Sequence, residues 1–280
     1  MAVLRSLRLA ALAAALVGLA AGCGSEDPVV GGATTAPTTP TTAASTTTAA
    51  PRARFVLAGD SMMYDVAPAV QAALDPSAAE VVPLVVPSLF SPTVEASLDD
   101  AVRTEPTDAV VVMVGVWETG YETSTGLEVV QPGWGDGYRT EVLVPFADRM
   151  ASYGTHLVLL AHPPMRTPDE EGRFAAVYEQ WARLAAERPD AVTFARSGPW
   201  LGAGDYVEVV ELPDGSRTRL RRTDGVHLCA EGAIRIARGL VDLLADVVGE
   251  PWAPVLVDGW ETGAWTERFP ADECPPEAVG

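Results

Sequence analysis

The feature that most constrains this chain is an apolar segment over residues 108–115, which reads Asp-Ala-Val-Val-Val-Met-Val-Gly. Every residue between Asp108 and Gly115 is apolar, so no position in this segment is suited to face water. A strand of this kind is buried on both faces, which is typical of parallel sheets covered by helices. Parallel strands also need crossover connections, usually helices. The segment therefore predicts an α/β fold.

From residue 54 onward, short apolar runs alternate with amphipathic stretches. We predict strands over 55–58, 81–86, 108–115, 157–161 and 191–195, and helices over 62–74, 94–102, 141–153, 174–188 and 231–248. Pro83 lacks an N–H group, so the second strand should be a weak or edge strand. Residues 206–212 and 216–220 flank a Pro-Asp-Gly turn and predict a hairpin. This alternation predicts a three-layer α/β/α sandwich with a mostly parallel sheet.

The N-terminal 53 residues are predicted to lie outside this domain, which then spans 54–280. Residues 1–22 carry two arginines before an apolar stretch that is too short to span a bilayer, as in export signals. The small residues before Cys23 resemble a bacterial lipobox, in which the cysteine is lipidated. An ordinary secretion signal with an incidental cysteine is the alternative. Residues 23–53 are rich in Thr, Ala and Pro and predict a tether. We therefore expect a lipid-anchored protein on the outer face of the bacterial cytoplasmic membrane.

The formal net charge is −19 at pH 7, and every basic residue other than histidine is arginine. An acidic surface repels phosphate groups, so nucleic acid is an unfavourable partner. The same repulsion disfavours binding to an anionic membrane surface. The sequence thus predicts membrane contact through the lipid anchor only.

Two cysteines, Cys229 and Cys274, follow the lipobox cysteine. Exported proteins meet oxidising conditions, so two cysteines in one domain predict a disulfide. A buried pair of free thiols and a pair of metal ligands are the alternatives. No cluster of cysteine and histidine has metal-ligand spacing, so we predict neither a metal nor another cofactor.

Ser61 follows the first predicted strand on a Gly-Asp-Ser turn that opens a helix. This turn lies at the carboxyl edge of the sheet, where ligands bind, and the free N–H groups of a helix N-terminus can hold an oxyanion. His227 and Asp224 precede the last predicted helix and supply a base and its orienting carboxylate. The sequence predicts a triad of these three residues. The structural alternatives are a helix cap, a surface histidine and a turn.

The segments Gly-Asp-Ser-Met-Met (59–63) and Asp-Gly-Val-His-Leu (224–228) resemble the first and last blocks of the SGNH (GDSL-like) hydrolases. The resemblance covers about residues 54–248 and implies a flavodoxin-like sheet and a serine esterase or O-acyltransferase. The second block usually contributes a glycine to the oxyanion hole, but residues 87–92 contain none. Backbone groups near Phe90 and Ser91 would then join the Ser61 N–H group as donors.

The third block also departs from the usual pattern, Gly-x-Asn-Asp. This chain has Gly115, Trp117 and Glu118 there, which we predict to contact the oxyanion or the substrate. Structural packing of the tryptophan and an arginine partner for the glutamate are the alternatives. The Gly-x-Trp-Glu form resembles SGNH domains associated with membrane acyltransferases of the cell envelope. That resemblance implies an acylated glycan, or another small ester, as substrate and a membrane acyltransferase as partner. A weak or inactive SGNH-like surface binding module is the alternative function.

Overall fold

The computed structural model describes residues 52–86, 89, 92–115, 120–123, 126–129, 134–166, 168–202 and 204–276. The predicted export signal, Cys23 and all but the last two residues of the predicted tether lie outside these ranges. Phe90, Ser91, Trp117 and Glu118 lie outside them as well. Within the described part of the chain, no helix has the length and apolar character needed to cross a membrane.

Strands and helices alternate along the chain. In order they are β1 (Ala53–Gly59), α1 (Ser61–Ala73), β2 (Ala79–Val85), α2 (Pro92–Thr104), β3 (Ala109–Met113), β4 (Gly120–Thr123), β5 (Gly126–Val129), α3 (Trp134–Tyr138), α4 (Val144–Ser152), β6 (His156–Ala161), α5 (Pro168–Glu187), β7 (Val192–Arg196), β8 (Val209–Glu211), β9 (Arg217–Arg219) and α6 (Ala230–Val248). Each strand and helix predicted from the apolar pattern has a counterpart here. α5 begins six residues before its predicted start, and the other bounds differ by at most three residues. These shifts are the usual uncertainty at element ends.

The central sheet has the strand order β2-β1-β3-β6-β7, and all of its neighbouring pairs are parallel. β3 lies in the middle, and all five of its residues are fully buried, as its apolar sequence predicts. β2 is an edge strand, and Pro83 lies opposite Leu57 in the register. The proline is tolerated because the other side of β2 carries no neighbouring strand of this sheet.

Successive side chains of β3 enter two separate cores, because residues along a strand alternate between faces. Val111 and Met113 pack with α1 and α6 on one face. Val110 and Val112 pack with α2, α4 and α5 on the other face. Burying each such side chain contributes about 1.5–3 kcal/mol. The predicted three-layer α/β/α sandwich is confirmed.

Two local predictions differ from the structure. The helix predicted from residue 141 is preceded by a π-helical turn at Arg139–Leu143, and α4 continues this turn with Pro145 as its second residue. The segment over 120–137 contains the antiparallel hairpin of β4 and β5 and the short helix α3, which have no counterpart among the predicted elements. The hairpin predicted after residue 206 is present as β8 and β9, with shorter strands.

The tail after α6 packs onto the domain. Trp252 and Trp260 are buried, and the ring of Trp252 lies 5.1 Å from that of Phe55 in an edge-to-face arrangement. Trp265 stacks on Trp260 at 6.3 Å. Trp252 and Trp260 therefore hold the tail against the domain as packing residues.

Candidate active site

The nucleophile position is built by a close approach of β1 and α1. A Cβ atom on Gly59 would lie 2.3 Å from the carbonyl oxygen of Met113 and 2.4 Å from Cβ of Met63, so only glycine fits. The next residue, Asp60, is the N-cap of α1, and its Oδ1 accepts a hydrogen bond from Met62 N at 3.0 Å. Asp60 therefore performs the capping role considered for Ser61, and the exposed Ser61 hydroxyl is available for another partner.

That partner is His227. Its Nε2 lies 2.9 Å from Oγ of Ser61, and its Nδ1 lies 2.7 Å from Oδ2 of Asp224. With the ring proton on Nδ1, the serine hydroxyl donates to Nε2 and the imidazole donates to the carboxylate. The structure thus brings the three predicted residues into one hydrogen-bonded chain, although Ser61 and His227 are 166 positions apart.

The Asp224 carboxylate is oriented from its own turn. Its Oδ1 accepts hydrogen bonds from Val226 N at 2.8 Å and from His227 N at 3.0 Å. Partial burial opposes ionisation, but the hydrogen bonds from the His227 ring and from these two N–H groups outweigh it and hold the pKa of Asp224 below its usual value. The residue is therefore ionised at neutral pH, as an orienting carboxylate must be.

A buried arginine shapes the turn that carries Asp224 and His227. The guanidinium of Arg221 donates to the carbonyl oxygens of Val226 and Pro164, each at 2.6 Å. Burial lowers the pKa of Arg221 to about 10, so its charge persists at neutral pH. Because one of these carbonyls follows β6 and the other lies inside the turn, Arg221 anchors the turn to the carboxyl edge of the sheet.

His162 has a supporting position behind the nucleophile. Its Nε2 lies 3.3 Å from Oδ1 of Asp60, and both side chains are buried. Burial alone would raise the pKa of Asp60, but the imidazole and the N–H groups of Met62 and Gly115 hold it below its usual value. A Cβ on Gly115 would lie 2.3 Å from the His162 ring, so this glycine is required for packing. The predicted contact of Gly115 with the oxyanion or the substrate stays a prediction.

A partly buried ion pair connects the segment that carries His227 to α1. Asp65, one turn after Ser61 in α1, accepts a hydrogen bond from Arg222 at 2.7 Å through Oδ1 and from Leu228 N at 3.2 Å through Oδ2. Arg222 also donates its backbone N–H to the carbonyl oxygen of His227 at 2.8 Å. The peptide groups on the C-terminal side of the imidazole are therefore held against α1, close to the serine.

The predicted cysteine pair adds a third connection to the same turn. Cys229 and Cys274 are bonded in the structure. One position before Cys274, Glu273 accepts hydrogen bonds from Thr223 N at 3.0 Å through its backbone carbonyl and from Arg222 at 3.1 Å through its carboxylate. The C-terminal tail thereby holds both ends of the segment that carries Asp224 and His227.

We expect Arg222→Met to lower the free energy of unfolding by about 3–5 kcal/mol, because Asp65 would be left as a buried charge without its partner. Urea denaturation measures this loss. Burial already raises the pKa of Asp65 above its usual value. A folded-state pKa above the unfolded one makes stability fall as pH rises, so the variant should regain stability on acidification.

The exposed pair of Arg238 and Glu261 provides the control for this prediction. Arg238→Met should cost less than about 1 kcal/mol, because exposed ion pairs are weak. Equal losses in the two arginine variants would contradict a special role for the buried pair.

The sequence reasoning did not identify Asp65 or Arg222. The available signal was a carboxylate inside an otherwise apolar helix, four positions after the serine. A charged residue on a buried helical face is almost always paired, which predicts a partner but does not say which arginine provides it.

Of the predicted hydrogen-bond donors to an oxyanion, only the Ser61 N–H group lies within the described residues. The Ser61 N–H group lies in the first turn of α1, where helix N–H groups are free and the helix dipole favours negative charge. The other predicted donors, near Phe90 and Ser91, and the predicted substrate contacts of Trp117 and Glu118 lie outside the described residues. They remain predictions.

Comparison with known proteins finds similar solved structures of low sequence identity. No curated protein matches this sequence. Similar solved structures include the carbohydrate acetylesterase Est24 from Sinorhizobium meliloti (19% identity, 70% of this chain and 100% of that one, TM-score 0.44). They also include the C-terminal catalytic domain of peptidoglycan O-acetyltransferase A from Streptococcus pneumoniae (18% identity, 70% of this chain and 94% of that one, TM-score 0.40). A lipase/acylhydrolase from Enterococcus faecalis is similar as well (16% identity, 72% of this chain and 100% of that one, TM-score 0.49).

The SGNH resemblance is confirmed in this structure by the order of the sheet strands and by the places of the first and last blocks, at the end of β1 and before α6. One protein family matches a large part of the chain, residues 54–243, which include β1 and most of α6. Its description is "Protein of unknown function (DUF459)". Because this match spans more than half of the chain, the protein belongs to the DUF459 family.

Proposed function

We propose that this protein cleaves or transfers ester-linked acyl groups, with Ser61 as nucleophile, His227 as general base and Asp224 as the residue that orients it. The observation that carries the proposal is the hydrogen-bonded chain from Ser61 Oγ through His227 to Asp224, with distances of 2.9 and 2.7 Å. A capping serine or a surface histidine would not need this alignment.

In the first half of the reaction, Ser61 Oγ attacks the ester carbonyl carbon while His227 Nε2 takes the hydroxyl proton. The negative charge that develops on the carbonyl oxygen is stabilised by the Ser61 N–H group and the N-terminal end of α1. The C–O bond to the alcohol then breaks, and the imidazolium gives its proton to the leaving oxygen. An acyl group remains on Ser61.

In the second half, water or a sugar hydroxyl attacks the carbonyl carbon of the acyl-serine while His227 again accepts the proton. The bond between that carbon and Ser61 Oγ then breaks, and the imidazolium returns the proton to Oγ. Water as the attacking group yields a free acid, and a sugar hydroxyl yields a transferred acyl group. The resemblance to envelope-associated SGNH domains supports an acylated glycan as substrate and a membrane acyltransferase as partner. The N-terminal lipobox pattern supports a position at the outer face of the cytoplasmic membrane.

Fluorophosphonate labelling of the purified protein tests this proposal, because these probes react with serines activated by a base. We expect one labelled site, mapped by peptide mass spectrometry to Ser61. The labelling should be lost in His227→Ala, which lacks the base that activates Ser61.

The second candidate function is a surface binding module on the same scaffold. It is favoured by the absence of the usual glycine and asparagine from the second and third blocks. A folded protein that does not label at Ser61 under any pH condition would support this second function and contradict the first.

A further inference from the structure

An apolar groove lies between α1 and the edge strand β2, on the face of the sheet that α1 covers. Its volume is about 220 Å³, and its walls include Leu57, Met63 and Pro83. Tyr64 and Val85 also line it, and both are unusually exposed for their type, at 57% and 70%. Exposed apolar side chains that converge on a cavity are typical of a binding site.

Helical geometry places this groove next to the nucleophile. At about 100° per residue, Tyr64 projects about 60° to one side of Ser61, and Asp65 about 40° to the other. Asp65 contacts Arg222 and Leu228, which adjoin the base. Pro68 and Gln71, which continue the groove along α1, project to the same side as Tyr64. The base thus approaches Ser61 from one side of the helix, and the groove extends from the other.

The register of β2 against β1 also places the groove next to Ser61. Val85 lies opposite Gly59 in the pairing of β2 with β1, and Ser61 follows Gly59 by two residues. The open end of the groove is therefore at the carboxyl edge of the sheet. At its other end Gln71 donates a hydrogen bond to the carbonyl oxygen of Val81 at 3.0 Å, which occupies its amide group.

We propose that this groove binds the hydrocarbon chain of the acyl group that Ser61 receives, so that the protein prefers esters of medium-length fatty acids to acetyl esters. This inference rests on the proposed function and specifies its substrate. A groove of about 220 Å³ is below the usual range of about 300–1,000 Å³ for drug-sized ligands, but it accommodates several methylene groups. Its apolar walls offer little to a sugar ring, whose hydroxyl groups need hydrogen-bonding partners.

One charged side chain, that of Arg268, also lines the groove. The Arg268 guanidinium lies 4.1 Å from the centre of the Tyr64 ring and packs over it. This contact holds the ring in place as one wall of the groove. The other residues that line the groove are uncharged.

A series of p-nitrophenyl esters from acetate to octanoate, hydrolysed by the whole protein, tests the proposal. Burial of one methylene group contributes about 0.8 kcal/mol, which corresponds to about a fourfold change in rate. We therefore expect kcat/KM to rise about fourfold per methylene group and the hexanoate to exceed the acetate by about 10²-fold.

Val85→Asp places a carboxylate at the mouth of the groove, on an exposed side of an edge strand. We expect it to lower the ratio of hexanoate to acetate kcat/KM at least tenfold. Val255→Asp is the matched control, because Val255 is also exposed, at 50%, and does not line the groove. It should leave the ratio unchanged.

A wild-type protein that prefers acetate, or a Val85→Asp ratio equal to the wild-type one, would overturn the proposal while leaving ester cleavage intact. Loss of all ester hydrolysis would instead contradict the proposed function. In that case hexanoate binding to the Ser61→Ala protein, followed by the NMR shift of the Ala67 methyl group, decides whether the groove takes an acyl chain. An unshifted methyl signal would exclude it, and a shift that vanishes in Val85→Asp would support it.

Discussion

Replacing Ser61 with alanine is expected to lower kcat for ester hydrolysis by about 10⁵–10⁶-fold and to abolish fluorophosphonate labelling. The free energy of unfolding should change by less than about 0.5 kcal/mol, because the side chain is exposed and the helix cap is Asp60. Steady-state kinetics and urea denaturation of the same preparation measure the two quantities.

The large kinetic effect follows from the geometry of the triad. The only polar group that the substitution removes is the hydroxyl 2.9 Å from His227 Nε2. His227→Ala should produce a loss of similar size. The double variant should be no slower than either single one, because residues that act as a unit are not additive.

Ser152→Ala is the control for this substitution. Ser152 is also an exposed serine, and its hydroxyl donates to the carbonyl oxygen of Arg149 at 2.7 Å at the end of α4. Its loss should leave kcat unchanged. If Ser61→Ala retained more than about a tenth of the wild-type rate, the nucleophile would have to be another residue.

Asp224→Asn should lower kcat by about 10⁴-fold without displacing the turn. The amide oxygen can still accept from Val226 N and His227 N, as the Oδ1 atom of the carboxylate does. Its NH₂ group, however, would face Nδ1 and donate to it. The imidazole would then carry its proton on Nε2 and could not accept the proton of Ser61.

The pKa shift of Asp224 gives this prediction a pH dependence. Hydrogen bonds hold the pKa of the folded carboxylate below its usual value, so the stabilisation is complete above the usual pKa and lost as the pH falls through the folded one. The Asn variant lacks this titration. Between pH 6 and 8 the wild-type carboxylate stays ionised, so the rate deficit of the Asn variant should persist throughout this range.

Asp214→Asn is the matched control, since Asp214 also forms a local turn by accepting hydrogen bonds from Ser216. Its carboxylate has no histidine partner among the described residues. An unchanged rate in this variant, with a 10⁴-fold loss in Asp224→Asn, would separate the orienting role from the turn. Similar rates in both variants would contradict that role.

Most of the fold could be predicted from the sequence because the relevant patterns are local. An apolar run without polar positions, as in β3, indicates burial on both faces wherever the strand lies in the sheet. Pro83 excludes a central strand for the same kind of reason. The hairpin of β4 and β5 could not be predicted, since its short strands lie in a segment rich in glycine, which weakens the strand pattern.

The sequence by itself determined the layer order and the three triad positions, because strand periodicity, a serine at the start of a helix and an Asp-x-x-His turn depend on neighbouring residues. Only the tertiary structure decided what surrounds Ser61. Arg222 reaches Asp65 across 157 positions, and Tyr64 faces the groove on the opposite side. Those pairings follow from which side of α1 faces α6 and which faces β2. That orientation is set by the packing of the whole sheet, and no local pattern encodes it.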